Sequence, residues 1–413
     1  MNAAPVTAAP ADTAPAVLLG LSYTSLPVAR SLGRRGIAVI GLDPDPAAIG
    51  TRCRYVQPFA VSSDDAALLP ALLDLGAKFG RKAVLYPFGD EQLLFVARHR
   101  EQLASHFWLH HQPRHALDRL VGKETLGDIL AAAGAPMPRS AVFDHEPPGG
   151  WARLEVDLEF PVVIKPDHHE KWLDDPRVVA RIGRRKALLV DDLGELRRRC
   201  ADLAAFDTII AQEYIPGPSE NLHYYVGYRN QSGHMLVSFV GRKLRTYPDR
   251  FGTESYLQSV ADPTLCRVAE ALLARLDYVG VAGLDFKYDA RDSRLRLIEI
   301  NWRFGLSDGL LSDCGVDLPW IFYRDIQGLP TQPALDYRTD VRWLWLEKEL
   351  EWIREYGTSQ ATPLLRWLGQ LLDPRCSHAV LACDDLQPFL QVLGGLARRA
   401  WQALPGVRHS GHG

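Results

Sequence analysis

Three oxygen-bearing side chains in the second half of the chain have the spacing of a cation site. Glu299 and Asn301 stand two apart in the run Arg294-Leu-Arg-Leu-Ile-Glu-Ile-Asn-Trp-Arg-Phe-Gly305. At a strand's period of two, Leu295, Leu297, Glu299 and Asn301 share a face, so an apolar face would end in a carboxylate and an amide. Oxygens at that spacing suit a hard cation such as Mg²⁺, and Arg303, two residues further on, suits a phosphate. The preceding run, Gly283-Leu-Asp-Phe-Lys-Tyr-Asp289, is joined to it by Ala-Arg-Asp-Ser. A hairpin paired symmetrically about Asp292 sets Asp285 opposite Glu299, where two carboxylates repel unless a cation neutralises them. Glu299 and Asn301 alone are equally the polar end of an ordinary buried strand; the facing Asp285 favours the cation.

Other groups suit phosphates. Lys165 ends the strand Phe160-Pro-Val-Val-Ile-Lys-Pro166. A lysine in so apolar a strand needs a partner, which a phosphate would supply, or else reaches from the strand edge to water. Lys243 and Arg245 fall on one face of Gly241–Pro248 at period two. Gln212-Glu-Tyr-Ile-Pro-Gly217 reads as a strand entering a turn, with Glu220 close behind. Lys123 lies in a helix stopped by Gly134 and by itself reads as a surface lysine. Gly122-Lys123 is not a P-loop, because no glycine stands five residues before Gly122 and Glu124 replaces the Ser/Thr. His110-His111 with His115, and His168-His169, lack acidic or cysteine partners at ligand spacing and read as surface or packing residues.

Several elements must position these groups. Ala16–Gly20, a helix over 25–35 and Ile37–Asp43 form a β-α-β opening, hence a parallel sheet. Asp43 stands where a ribose-binding acid would, but no second or third glycine follows Gly20, so the dinucleotide fingerprint fails. A strand at Val84–Phe88, a helix over 90–104 and a strand at Phe107–His110 complete a small Rossmann-like α/β domain over 16–115. Residues 116–335 hold strands and hairpins, with a lid subdomain at about 160–215. The charged stretch 167–187 within it is a closing lid or a solvated loop. Residues 336–413 read as helical, and Trp343, Trp345, Trp352 and Trp367 at helical spacing read as core. The Ala/Pro-rich residues 1–15 read as a disordered tail, without the basic start and apolar stretch of a signal peptide. Net charge is −3 in 413 residues, which gives no reason to expect nucleic acid or an anionic membrane. No apolar run reaches membrane-spanning length. Six scattered cysteines fit reduced thiols in a cytoplasmic protein better than a disulfide framework.

In this order and spacing, Val162-Val-Ile-Lys-Pro166, Gln212–Gly217 with Glu220, and the Asp285…Glu299-Ile-Asn-Trp-Arg303 hairpin resemble the ATP-grasp superfamily. Within it the likeness is to the carboxylate–amine ligases, over about residues 16–330. The stretch His168-His-Glu-Lys-Trp172 is similar to the lid region of D-aspartate ligases. Trp302 stands where the family usually has proline, and the lid has only Gly183 where many family lids are glycine-rich. The resemblance implies an α/β and α+β fold: an N-terminal Rossmann-like parallel α/β domain, an ATP-grasp core of antiparallel sheets with a lid, and a C-terminal helical segment. It implies that Lys123 and Lys165 contact ATP phosphates. Glu213 would accept from the adenine amino group, the backbone of Tyr214 and Ile215 would read the ring edge, and Glu220 would hold the ribose. Asp285, Glu299 and Asn301 would bind Mg²⁺, with two ions expected and Mn²⁺ a substitute. Arg303 would stabilise the transferred phosphoryl group, and Lys243 and Arg245 the γ-phosphate or the acceptor carboxylate.

The implied reaction is ADP-forming. A carboxylate takes the γ-phosphoryl group of ATP, and an amine then displaces phosphate from the acyl phosphate. The implied partners are a small carboxylate, a small amine and a second copy in a homodimer. Two alternatives remain beside it: ATP-dependent carboxylation or simple phosphoryl transfer on the same fold, and a non-catalytic nucleotide-binding module. The last predicts damaged metal ligands, whereas Asp285, Glu299 and Asn301 are intact.

Overall fold

The computed structural model describes residues 13–109, 123–143, 147, 149–166, 172, 175–182, 185, 187–203, 208–356 and 364–402. Their strands form three sheets. The first contains β1 (Ala16–Leu19), β2 (Val39–Asp43), β3 (Val56–Ala60), β4 (Ala83–Pro87) and β5 (Phe107–Trp108), in the order β3-β2-β1-β4-β5. All its pairings are parallel. β1 and β4 are buried along their whole length, which is why they read as unbroken apolar runs rather than alternating ones. Sequence reading does not anticipate β3 or the helix Asp65–Lys78. β3 is an edge strand with one buried residue and Pro58 inside it, and the helix contains Pro70. Proline argues against both elements in a sequence, yet an edge strand tolerates it because one side of its ladder is unpaired.

The second sheet is antiparallel and has its own core. It contains β6 (Ser140–Phe143), β7 (Val162–Pro166), β8 (Leu188–Val190) and β9 (Ile209–Glu213), in the order β6-β9-β7-β8. Val162, Ile164, Leu196, Ile209 and Ala211 pack together beneath it. Most of the proposed lid stretch 167–187 lies outside the described residues; what is described includes the helix Pro176–Ile182 and a buried Trp172. Residues 1–12, the histidines at 110, 111, 115, 168 and 169, and the side chain of Lys123 also lie outside them.

The third sheet carries the site. It contains β10 (Leu222–Arg229), β11 (Met235–Tyr247), β12 (Thr253–Ser259), β13 (Gly280–Tyr288), β14 (Leu295–Asn301), β15 (Arg342–Leu344) and β16 (Cys376–His378). Their order is β14-β13-β10-β11-β12-β15-β16. One face, with Tyr224, Val226, Phe239 and Leu257, shares a core with the N-terminal sheet and the helix Leu318–Asp325. The other, with Tyr225, Leu284 and Phe286, packs on the helix Pro263–Arg275.

The C-terminal segment departs from the all-helical expectation. It supplies β15 and β16 as well as the helices Leu346–Tyr356, Leu364–Leu371 and Gln387–Gln402. Three-residue strands leave no periodic trace, and β15 exists because β12 pairs with it. Trp343, Trp352 and Trp367 are buried and Trp345 partly so, as core residues. Arg30 of the first domain donates to Asp385 at 2.9 Å, both being buried, and so ties the C-terminal segment to the N-terminal domain. Among the described residues, no helix is long and apolar enough to cross a membrane.

Candidate functional site

Asp285 and Glu299 are direct cross-strand partners, and Gly283 pairs with Asn301. The symmetric hairpin nevertheless holds only at that end. Phe286 pairs with Leu297 and Tyr288 with Leu295, so Ile298 is an extra residue bulged out of β14. The bulge resets the alternation. Leu295 and Leu297 therefore face the core under Phe286, while Glu299 and Asn301 face the opposite side with Asp285. This corrects the expectation that all four share a face: the strand's apolar residues and its oxygen donors lie on opposite faces.

A second pair of bulges corrects the reading of Lys243 and Arg245. Lys243 pairs with Leu257, Arg245 with Tyr256 and Thr246 with Glu254, leaving Leu244 and Ser255 as extra residues. The two cations accordingly point to opposite faces. Lys243 is buried and joins the acidic group, 2.7 Å from Asp285 and 3.3 Å from Glu254. Arg245 instead pairs with the buried Glu349 at 2.6 Å and lies over the rings of Tyr256 and Trp352. Arg245 thus anchors the helix Leu346–Tyr356 rather than standing beside Lys243.

The acidic group is electrostatically crowded. Burial pushes Asp285 up to about 6, Glu254 and Glu299 push the same way, and Lys243 opposes them. Burial also works against the charge on Lys243, but the Asp285 and Glu254 carboxylates overcome it and hold the ammonium above the usual lysine range. Three carboxylates thus surround one ammonium, and the raised proton affinity of Asp285 is an affinity for further positive charge. Among the described residues, no three His, Cys, Asp or Glu side chains gather closely enough to hold a metal by themselves. The donor set of Asp285, Glu299 and the amide of Asn301 is a hard-oxygen set that suits Mg²⁺ when a ligand supplies further oxygens.

Arg303 reaches the same end of the sheet. Its Nε donates to Asp90 Oδ1 at 2.8 Å, at the start of the N-terminal domain's helix Asp90–Arg98. Ser307 donates to Glu254 at 3.3 Å. Asp308 is 1% exposed; its Oδ2 accepts from the Gly305 N–H at 2.8 Å, and its Oδ1 has no partner among the described residues. Glu254 and Asp308 escaped sequence reading because nothing local marks them; strand pairing and the turn after Arg303 bring them in.

Burial pushes Asp308 up to about 7, with Glu254 adding to the rise, against an ordinary 3.8. Native protein therefore keeps a proton that the unfolded chain loses between about pH 4 and 7. The stabilisation is complete below that window and is lost as pH rises through it. We expect Asp308→Asn to raise the melting temperature over wild type more at pH 8 than at pH 5. A difference independent of pH would sink this account of the buried carboxyl.

Of the remaining predicted residues, Tyr214 and Glu220 line a cleft. Lys165 shares a face of the second sheet with Gln212, to which its Nζ donates at 3.2 Å. Glu213 lies on the other face, 8% exposed, where it pairs with Arg139 at 2.5 Å and accepts from the Glu159 N–H at 3.0 Å. The Tyr214 N–H donates to the Pro161 carbonyl at 3.0 Å, and the Ile215 side chain is buried. Beyond them a cleft of about 700 Å³ opens at the start of β10, lined among others by Tyr214, Glu220, Leu222, Arg245, Arg250 and Lys287. Tyr214 and Glu220 therefore meet in one cavity, while Asp285, Glu299, Asn301, Lys243 and Arg303 meet at the neighbouring end of the sheet.

No family model matches the chain. A D-aspartate ligase of Enterococcus faecium is 25% identical over 295 residues, which are 70% of this chain and 65% of that protein. The chain thus spans just under two thirds of that relative's length. An L-amino acid ligase from Bacillus licheniformis superposes with a TM-score of 0.57 at 18% identity, covering 76% of this chain and 74% of that one. The ADP complex of an N5-carboxyaminoimidazole ribonucleotide synthetase superposes with a TM-score of 0.61 at 16% identity, covering 80% and 81%. With the three-sheet architecture, these likenesses show that the chain has the fold of these ATP-grasp ligases.

Proposed function

We propose that the chain is an ATP-dependent, ADP-forming ligase that joins a carboxylate to an amine through an acyl phosphate. The observation that carries this reading is the face shared by Asp285, Glu299 and Asn301, with Lys243 buried against it and Arg303 at its edge. Carboxylate and ATP are both anions, so their approach needs concentrated positive charge. Lys243 would supply it from within the acidic group and Arg303 from the segment after β14, and Lys165 and Lys123 would supply it from the lid side. Asp285, Glu299 and Asn301 would hold Mg²⁺, two ions in our reading, which when bound would neutralise charge on the phosphates. Glu213 with the Tyr214–Ile215 backbone would meet the adenine, and Glu220 the ribose, within the cleft. Arg245, turned away from Lys243, would act only indirectly, by holding the C-terminal helices against the cleft. Residues 16–115, 116–335 and 336–413 would be the three working parts. A cytoplasmic location and a homodimer belong to the same reading.

The test supplies purified protein with ATP, Mg²⁺, hydroxylamine and a panel of carboxylic acids headed by D-aspartate, chosen for the relative's name. We expect ADP release and a hydroxamate with at least one acid. Release of AMP and pyrophosphate, or no nucleotide turnover with any acid or amine, would overturn the ligase reading. ADP release that needs bicarbonate and no other acid would favour carboxylation on the same fold.

A further inference from the structure

Lys287 has no part in the reading above, yet it stands where a ligand-binding group would. It follows Asp285 by two residues on β13 and shares its face, with Leu222 as its partner on β10. Such residues are about 7 Å apart along a strand. Lys287 is 6% exposed, and no hydrogen bond or ion pair joins its ammonium to a described residue. Its Nζ sits 5.1 Å from the centre of the Tyr214 ring, and its side chain lines the cleft together with Glu220 and Arg250. A buried cation without a counter-ion destabilises a protein. Such arrangements recur where a ligand brings the missing charge.

We propose that Lys287 receives the α-phosphate of the bound nucleotide. The inference rests on the nucleotide site of the ligase reading and adds a contact to it. Asp285 marks the end where the terminal phosphates would lie, and Tyr214 with Glu220 marks the nucleoside end. Lys287 lies between them on one face, and a nucleotide's first phosphate lies between its sugar and its terminal phosphates. The anion would replace the absent carboxylate partner, and the Tyr214 ring would hold the lysine stem in place.

The test compares full-length wild type with Lys287→Met in titrations of adenosine, AMP and ADP with Mg²⁺. A lost charge-assisted hydrogen bond weakens AMP and ADP by roughly ten- to hundred-fold and leaves adenosine unchanged. Without nucleotide, the Met variant should melt no lower than wild type, because it removes a buried, uncompensated charge. Lys287→Gln gives the same comparison if the Met variant does not fold. Equal weakening of adenosine would place Lys287 at the base or sugar and overturn the proposal. Unchanged AMP and ADP affinity would overturn it while leaving the nucleotide site standing. A folded wild type that binds no ADP would overturn the nucleotide reading itself.

Discussion

Glu299→Gln is expected to lower ADP release on the order of 10³-fold while the melting temperature stays within a few degrees of wild type. Glu299 is exposed at the end of β14, so an amide of the same shape disturbs little packing. Its charge matters more. It faces Asp285 across the hairpin and adds to the negative field there. Losing it removes one ligand charge and eases the crowding that makes the site seek a cation. Steady-state ADP release, measured beside a thermal melt, separates the two effects. Undiminished turnover would refute the metal-binding role, and a collapsed melt would reassign Glu299 to structure.

The second large effect is on stability. Glu349→Ala should destabilise the chain by roughly 3–5 kcal/mol, because it leaves the Arg245 guanidinium buried without a counter-charge. Glu349 is fully buried, accepts from Arg245 Nη2 at 2.6 Å, and also accepts from Trp367 Nε1 at 3.1 Å. It is the point where β11 meets two C-terminal helices. Replacing both partners, Arg245→Met with Glu349→Leu, should recover most of the loss, since neither charge is then stranded. Urea denaturation of the single and double variants gives the coupling. Losses that simply add would show that the pair does not hold the segment in place.

Legibility in the sequence followed locality. The hairpin was readable because its turn, its two strands and the facing of Asp285 and Glu299 lie within about twenty residues. The opening β-α-β unit was readable because β1 and β2 are buried runs flanking an amphipathic helix. Where period two misled, as at Leu295–Asn301 and at Lys243 with Arg245, a bulge had inserted one unpaired residue. An isolated strand carries no mark of that, because a bulge is a property of two strands. Glu254 and Glu349 were invisible for a related reason: each meets its partner only through long-range pairing. Lys287 was in view all along, two residues from Asp285, but its importance depends on a missing partner, which only the packed structure can show.

The bulge at Ile298 also makes the site a matter of parity. Counting back from Asn301, donors fall on even steps; counting forward from Leu295, apolar residues do too; the two counts agree in number, and the extra residue Ile298 sets them on opposite faces. Composition does not decide which face carries the carboxylates, because the residues on either side would suit a plain strand. The unpaired residue decides it. Deleting Ile298 would leave Leu297 and Glu299 on opposite faces by plain alternation, whereas pairing Ile298 into the ladder would put both on one face without altering a single donor. In this hairpin, therefore, pairing register is as much a determinant of chemistry as residue identity.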